Sequence, residues 1–167
     1  SERIQAEASK AYDEKAPPGL DRRHDEGDLN YPCRYFHNEE IPNISVSGIP
    51  GFYYPSKRHS DHPEAGKYIP DLAENQFMNL ANEYGFTHIV NLELSNDVSK
   101  TVKKLNESGK VEALEERQMS VSSLKGMREA AEYIGELLLD NDSRVLVHCR
   151  WGTHRAPAAS VVGLIYA

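Results

Sequence analysis

Apolar positions along the chain fall into short runs and longer periodic segments that alternate. Short runs are typical of buried strands, whereas apolar residues that recur every three or four positions indicate helices. Strands are predicted at residues 44–47 (taken as the first strand), at 86–94, within 111–121 with 118–121 as the best candidate, and at 145–147. This alternation predicts an α/β fold, with a mainly parallel central sheet flanked by helices on both sides.

The helices between these strands have recognisable ends. The predicted boundaries are Asp71 as N-cap and Gly85 as stop, 97–107 before Gly109, and Ser122 or Ser123 as the cap of a helix that runs to Leu139. Their apolar faces comprise Leu72, Phe77, Leu80 and Tyr84, then Val98, Val102 and Leu105, then Leu124, Met127, Ala131, Ile134 and Leu138. An Ala-rich segment at 156–167, with Pro157 in its first turn, predicts a last helix.

The regions outside this pattern are polar. Residues 1–40 are expected to form a partly irregular N-terminal extension, and 41–167 one folded domain. Four apolar residues, Tyr31, Tyr35, Phe36 and Ile41, are expected to pack on the domain edge. The loop-like stretch 52–70 contains His59 and His62, which we interpret as surface histidines because no third ligand stands at metal-binding spacing. No metal and no cofactor is predicted.

Composition excludes some classes of function. Hydrophobic residues make up 39% of the 167 residues and charged residues 27%, as in ordinary globular domains. The net charge of −7 argues against nucleic-acid binding, which needs a basic face. No apolar run is long enough for a membrane span. We expect a monomer. We also expect a cytoplasmic location, because a cysteine that reacts as a thiolate needs a reducing compartment, and Cys149 is a candidate for such a role.

The chemistry is concentrated near the end of the chain. Cys149 follows the apolar run 145–147, and Arg155 comes after five intervening residues, where the last helix begins. A loop between a strand and a helix N-terminus directs several backbone N–H groups at one point, which suits an anion and favours a thiolate. Arg155 can bind two oxygens of a phosphate group at once. The pattern therefore predicts a phosphate site with a nucleophile at its centre.

A motif near the end of the chain resembles the signature of the cysteine-dependent protein tyrosine phosphatases: His148, Cys149 and Arg155 at this spacing, with Gly152 in the loop. The position of the motif late in a short chain resembles the dual-specificity branch of that family. The resemblance implies that Cys149 forms a cysteinyl-phosphate and that Arg155 binds the phosphate oxygens. The implied phosphate-binding loop comprises His148, Arg150, Trp151, Gly152, Thr153 and His154. His148 supports the loop in this family; a histidine that fills space at the strand end is the alternative. The resemblance also implies helices beyond residue 167, or cover of that face by residues 1–40.

Two residues of the usual pattern differ. Ala156 stands where most of the family has Ser or Thr, as in the phosphatases of regenerating liver, so slow turnover is expected. Residues 117–124 lack the aspartate that protonates the leaving group in this family, and Ser122 or Ser123 occupies its place. Asp97 is the best remaining candidate for the general acid, because it lies in a loop on the same edge of the sheet; the alternative is an N-cap role.

The sequence therefore favours a phosphatase that hydrolyses phosphotyrosine, phosphoserine or phosphothreonine on a phosphorylated protein. Positive charge on Arg150 and His154 favours a multiply phosphorylated small molecule, as in phosphoinositide and inositol-phosphate phosphatases, whose loops look similar. A pseudophosphatase that binds phosphorylated partners is the main alternative, and a rhodanese-like sulfur transferase ranks last.

Cys33 is interpreted as an inert thiol; a protective disulfide with Cys149 is the alternative.

Overall fold

The computed structural model describes residues 20–23, 29–53, 63–64, 66–150, 158–160 and 163. The strands within these ranges are β1 (Leu20–Arg23), β2 (Tyr35–Asn38), β3 (Ile44–Ser47), β4 (His88–Asn91), β5 (Glu115–Gln118) and β6 (Val145–His148). The helices with defined bounds are α1 (Pro70–Tyr84), α2 (Asp97–Ser108) and α3 (Leu124–Leu138), and residues 158–160 and 163 are also helical.

The six described strands form one mixed sheet in the order β1-β2-β3-β6-β4-β5. The four strands from β3 to β5 in this order are parallel, whereas β1 and β2 add an antiparallel edge. The short connection 39–43 between β2 and β3 allows a hairpin but not a parallel crossover. The predicted α/β fold is confirmed, with this antiparallel edge as an addition.

Helices cover both faces of the sheet. On one face, α1 and α2 pack against Leu146 of β6, and Phe77, Leu80 and Leu105 are fully buried there. On the other face, Ala130 and Ile134 of α3 pack against Val145 and Val147. Because β6 is buried from both sides, its apolar run is continuous rather than alternating.

The N-terminal region contributes to the sheet and to the core. Residues 44–47 form the third strand, so the prediction that they form the first is wrong. The missed strands contain no apolar run longer than two residues and are defined by backbone pairing instead. Tyr31 and Tyr35 stack in the core, with ring centroids 5.6 Å apart, but Ile41 is 44% exposed, contrary to the expected edge packing.

Three helix ends match the predictions and one does not. Gly85 and Gly109 adopt left-handed φ values of 70° and 73° after α1 and α2, and Ser123 caps α3 by accepting the Gly126 N–H at 3.0 Å. Asp71 is not the N-cap of α1. Pro70 takes the first helical position, which it favours, so Ile69 is the N-cap and Asp71 lies within the first turn.

Two further predictions need correction near β5 and α3. The strand is Glu115–Gln118 rather than 118–121, because its pairing with β4 sets the position and its side chains are mostly exposed at the sheet edge. Leu124 is 90% exposed, although its spacing places it on the apolar face of α3. It is the first residue of the helix and extends past the part that packs on the sheet.

Candidate functional site

The carboxyl ends of three parallel strands meet at one edge of the sheet. His148, the last residue of β6, lies opposite Asn91, which in turn lies opposite Gln118 at the end of β5. The turn at 140–143 precedes β6 and is therefore at the opposite edge. The loops after β4 and β5 therefore lie on the same side of the sheet as Cys149, which confirms the edge expected for the loop that contains Asp97.

Cys149 comes directly after β6 and is only 3% exposed. The backbone on both sides of it is hydrogen-bonded to the segments that follow the neighbouring strands β4 and β3. Leu92 N–H donates to the His148 carbonyl oxygen at 2.8 Å, and Ile49 N–H donates to that of Arg150 at 3.0 Å. Cys149 belongs to the buried cluster that includes Ala159. The chain therefore leaves a central strand at Cys149 and returns as helix against the same cluster.

His148 is fully buried. Its Nδ1 lies 3.4 Å from the carbonyl oxygen of Cys149. The ring is thus next to the backbone of Cys149. Its supporting role stays a prediction.

Several predicted site residues lie outside the described residues. These are Trp151, Gly152, Thr153, His154, Arg155 and Ala156 in the loop and the start of the last helix, together with His59 and His62. The roles assigned to them stay predictions. Among the described residues, no cluster of three potential metal ligands occurs.

Glu93 is a neighbour of the site that the sequence interpretation did not identify. Its side chain is 13% exposed, and Oε2 lies 3.8 Å from Nε of Arg150, the residue after Cys149. The Arg150 guanidinium carbon also lies 5.8 Å from the centre of the Phe52 ring. Strand register could have identified Glu93, because Glu93 stands two residues after Asn91, and Asn91 pairs with His148.

Hydrogen bonds hold the backbone of Glu93 on both sides. Its N–H donates to Oδ1 of Asn91 at 2.9 Å, and its carbonyl oxygen accepts from Nε2 of Gln118 at 2.6 Å. Asn91 is fully buried and donates through Nδ2 to Glu116 at 3.2 Å. The ends of β4 and β5 thereby position the carboxylate that contacts Arg150.

Asp97 lies after β4, on the predicted edge, as the first residue of α2. Its carboxylate is exposed and accepts a hydrogen bond from the Ser95 hydroxyl at 2.9 Å. The N-cap is Asn96, so the alternative of Asp97 as N-cap is wrong. Within the described part of the chain, no hydrogen bond or ion pair joins Asp97 to residues 148–150.

The loop after β5 presents hydroxyl groups in place of a carboxylate. The Ser123 hydroxyl caps α3, and the hydroxyls of Ser120 and Ser122 lie 3.0 Å apart. A serine engaged as a helix cap is a poor proton donor at neutral pH. The described geometry of this loop thus provides no strong acid.

Cys33 lies beside the strand next to β6. It is fully buried, and its carbonyl oxygen accepts the Gly48 N–H at 2.8 Å. A Cβ added at Gly48 would come within 2.3 Å of the Cys33 sulfur, so glycine permits this close approach. Cys33 and Cys149 are both thiols and form no disulfide with each other.

Comparison with known proteins does not identify a family. No protein-family model matches the chain, and no curated protein matches it. Among the described residues, no helix has the length and apolar character needed to cross a membrane.

Proposed function

We propose that this protein is a cysteine-dependent phosphatase of the dual-specificity type. The observation that carries the proposal is the position of Cys149: a buried cysteine at the carboxyl end of a central parallel strand, in the same buried cluster as the helical residue Ala159. Ligands of open α/β sheets bind at this edge. The phosphatase-like fold implied by the resemblance is part of the same proposal.

In the proposed reaction, the Cys149 thiolate attacks phosphorus and an S–P bond forms as the bond to the leaving oxygen breaks. Arg155 and the loop amides bind the phosphate oxygens as charge spreads over them. The leaving oxygen takes a proton, for which Asp97 is the proposed donor. Water then attacks phosphorus and gives a proton to the Asp97 carboxylate, the S–P bond breaks, and phosphate and the thiolate are released.

The second candidate function is a binding module for phosphorylated partners. It is favoured by the loop after β5, where Ser123 caps α3 and no carboxylate follows the strand. Without a strong acid the first step is slow for alkyl phosphates, whose leaving groups need protonation. Aryl phosphates depend least on protonation of the leaving group, so phosphotyrosine is the preferred protein substrate if the protein is a phosphatase.

Steady-state turnover separates the two candidates. The parent protein is expected to hydrolyse para-nitrophenyl phosphate and a phosphotyrosine peptide slowly, and Cys149→Ser is expected to abolish both reactions. Cys33→Ser is the matched control, because it replaces the other buried cysteine and leaves the proposed nucleophile in place. Phosphopeptide binding by the parent without any turnover would contradict the phosphatase and support the binding module.

A further inference from the structure

Arg150 is not an isolated positive charge beside the nucleophile. Its Nε lies 3.8 Å from Oε2 of Glu93, and its guanidinium carbon lies 5.8 Å from the centre of the Phe52 ring. The Arg150 side chain is 52% exposed, whereas that of Glu93 is 13% exposed. The residue after Cys149 therefore carries a half-exposed positive charge, and a partly buried anion compensates it.

This arrangement changes what Arg150 attracts. A lone arginine next to the reacting phosphate favours a second anionic group on the substrate. A carboxylate of opposite charge next to it cancels most of that attraction for groups farther away, and it repels an anion that approaches the pair. Because Glu93 is largely shielded from water, its charge is less screened than that of an exposed carboxylate.

We propose that Glu93 is a specificity-determining residue, which neutralises Arg150 so that the site selects substrates with a single phosphate near the reacting atom and disfavours multiply phosphorylated ones. This rests on the proposed function, since it concerns the substrates of the same Cys149 site. Glu93 acts through Arg150. The backbone of Glu93 is held in place for that role because its N–H donates to Asn91 and its carbonyl oxygen accepts from Gln118.

The test compares two peptides that differ in one phosphate. Both contain phosphotyrosine; the neighbouring residue is serine in one and phosphoserine in the other. Dissociation constants are measured on the Cys149→Ser background, and the readout is the ratio of the affinity for the doubly phosphorylated peptide to that for the singly phosphorylated one. The same ratio is measured as 1/KM on the active protein, with kcat recorded separately.

Glu93→Gln is expected to raise this ratio about tenfold, as removal of one poorly screened charge predicts. The gain is expected in KM rather than in kcat, and it shrinks at high ionic strength. Glu93→Asp, which keeps the charge, is expected to leave the ratio close to that of the parent. Glu107→Gln, which removes an exposed carboxylate near the far end of α2, is the matched control and leaves the ratio unchanged.

Arg150→Gln combined with Glu93→Gln decides whether the effect passes through Arg150. The double variant is expected to return the ratio to within about twofold of the parent value, since both members of the compensated pair are gone. An unchanged ratio in Glu93→Gln, or a gain that persists in the double variant, would overturn the proposal. Absence of turnover by the parent would count against the phosphatase alone, because the binding ratio still reports on Glu93.

Discussion

Asn91 and His148 lie opposite each other at the ends of β4 and β6, and both side chains are fully buried. One polar residue follows each of these positions closely: Glu93 two residues after Asn91, and Cys149 directly after His148. The pairing of β4 with β6 therefore determines which carboxylate reaches Arg150, the residue after Cys149. The site depends on sheet register as much as on the residues of the loop.

The Asn91 side chain is predicted to stabilise this edge. Asn91→Ala removes the acceptor of the Glu93 N–H and the donor to Glu116, and it is expected to lower the free energy of unfolding by about 1–3 kcal/mol. Urea unfolding measures the change. Asn82→Ala, at an exposed position of α1, is the control, and equal losses for the two variants would contradict the assigned role.

Gly48 is predicted to be intolerant of a side chain. A Cβ there lies 2.3 Å from the Cys33 sulfur and 3.0 Å from the Arg150 carbonyl oxygen, so Gly48→Ala is expected to cost about 1–3 kcal/mol of stability through overpacking. The double variant Gly48→Ala with Cys33→Ala is expected to recover part of the loss, because it removes the nearest atom. Thermal unfolding is measured for the parent, the two single variants and the double variant. If the effects of the two substitutions on stability simply add, the overpacking explanation is contradicted.

The core around β6 is predicted to carry much of the stability. Leu146 is fully buried between the sheet and the α1–α2 layer, so Leu146→Ala is expected to cost about 2–5 kcal/mol. Leu124→Ala removes the same atoms at a position that is 90% exposed and is expected to change stability by less than about 0.5 kcal/mol. Similar effects in denaturant unfolding would contradict the assignment of β6 to the core.

Stability at alkaline pH is predicted to depend on Tyr68. Burial raises the pKa of Tyr68 to about 12, against the lowering effect of the Thr101 hydroxyl, and the phenol donates to the Asp97 carbonyl oxygen at 3.1 Å. The protonated phenol is favoured in the folded state. Its contribution is therefore complete below pH 10, the ordinary pKa of tyrosine, and is lost as the pH rises towards 12.

The measurement is the difference in unfolding free energy between the parent and Tyr68→Phe from pH 8 to pH 12. The other tyrosines are common to both proteins, so their titration largely cancels in the difference. The difference is expected to be constant up to about pH 10 and to decline above it. A difference that grows as the pH rises would contradict the sign of this linkage.

The sequence predicted those parts of the molecule whose signal is local. The apolar run before His148 identifies β6, the glycines at 85 and 109 mark helix ends, and Ser123 marks the start of α3. The alternation of strands and helices then placed Cys149 at the edge of the sheet where the carboxyl ends of the parallel strands meet. Each of these features depends on residues that are close together in the chain.

The parts that were missed depend on contacts between distant segments. β1 and β2 contain no apolar run longer than two residues and exist through pairing with each other and with β3. Glu93 meets Arg150 only because β4 and β6 are adjacent and parallel. The position of β5 likewise follows from its register with β4. No local pattern of residues encodes these relationships.

The proposed function requires Cys149 to act as a nucleophile towards phosphate esters. A single-turnover reaction with a phosphotyrosine peptide, quenched in acid and analysed by peptide mass spectrometry, detects the intermediate. We expect a phosphate covalently attached to the peptide that contains Cys149, and long-lived because Ala156 lacks the hydroxyl that assists its hydrolysis. Release of phosphate without phosphorylation of Cys149, or with undiminished rate in Cys149→Ser, would contradict it.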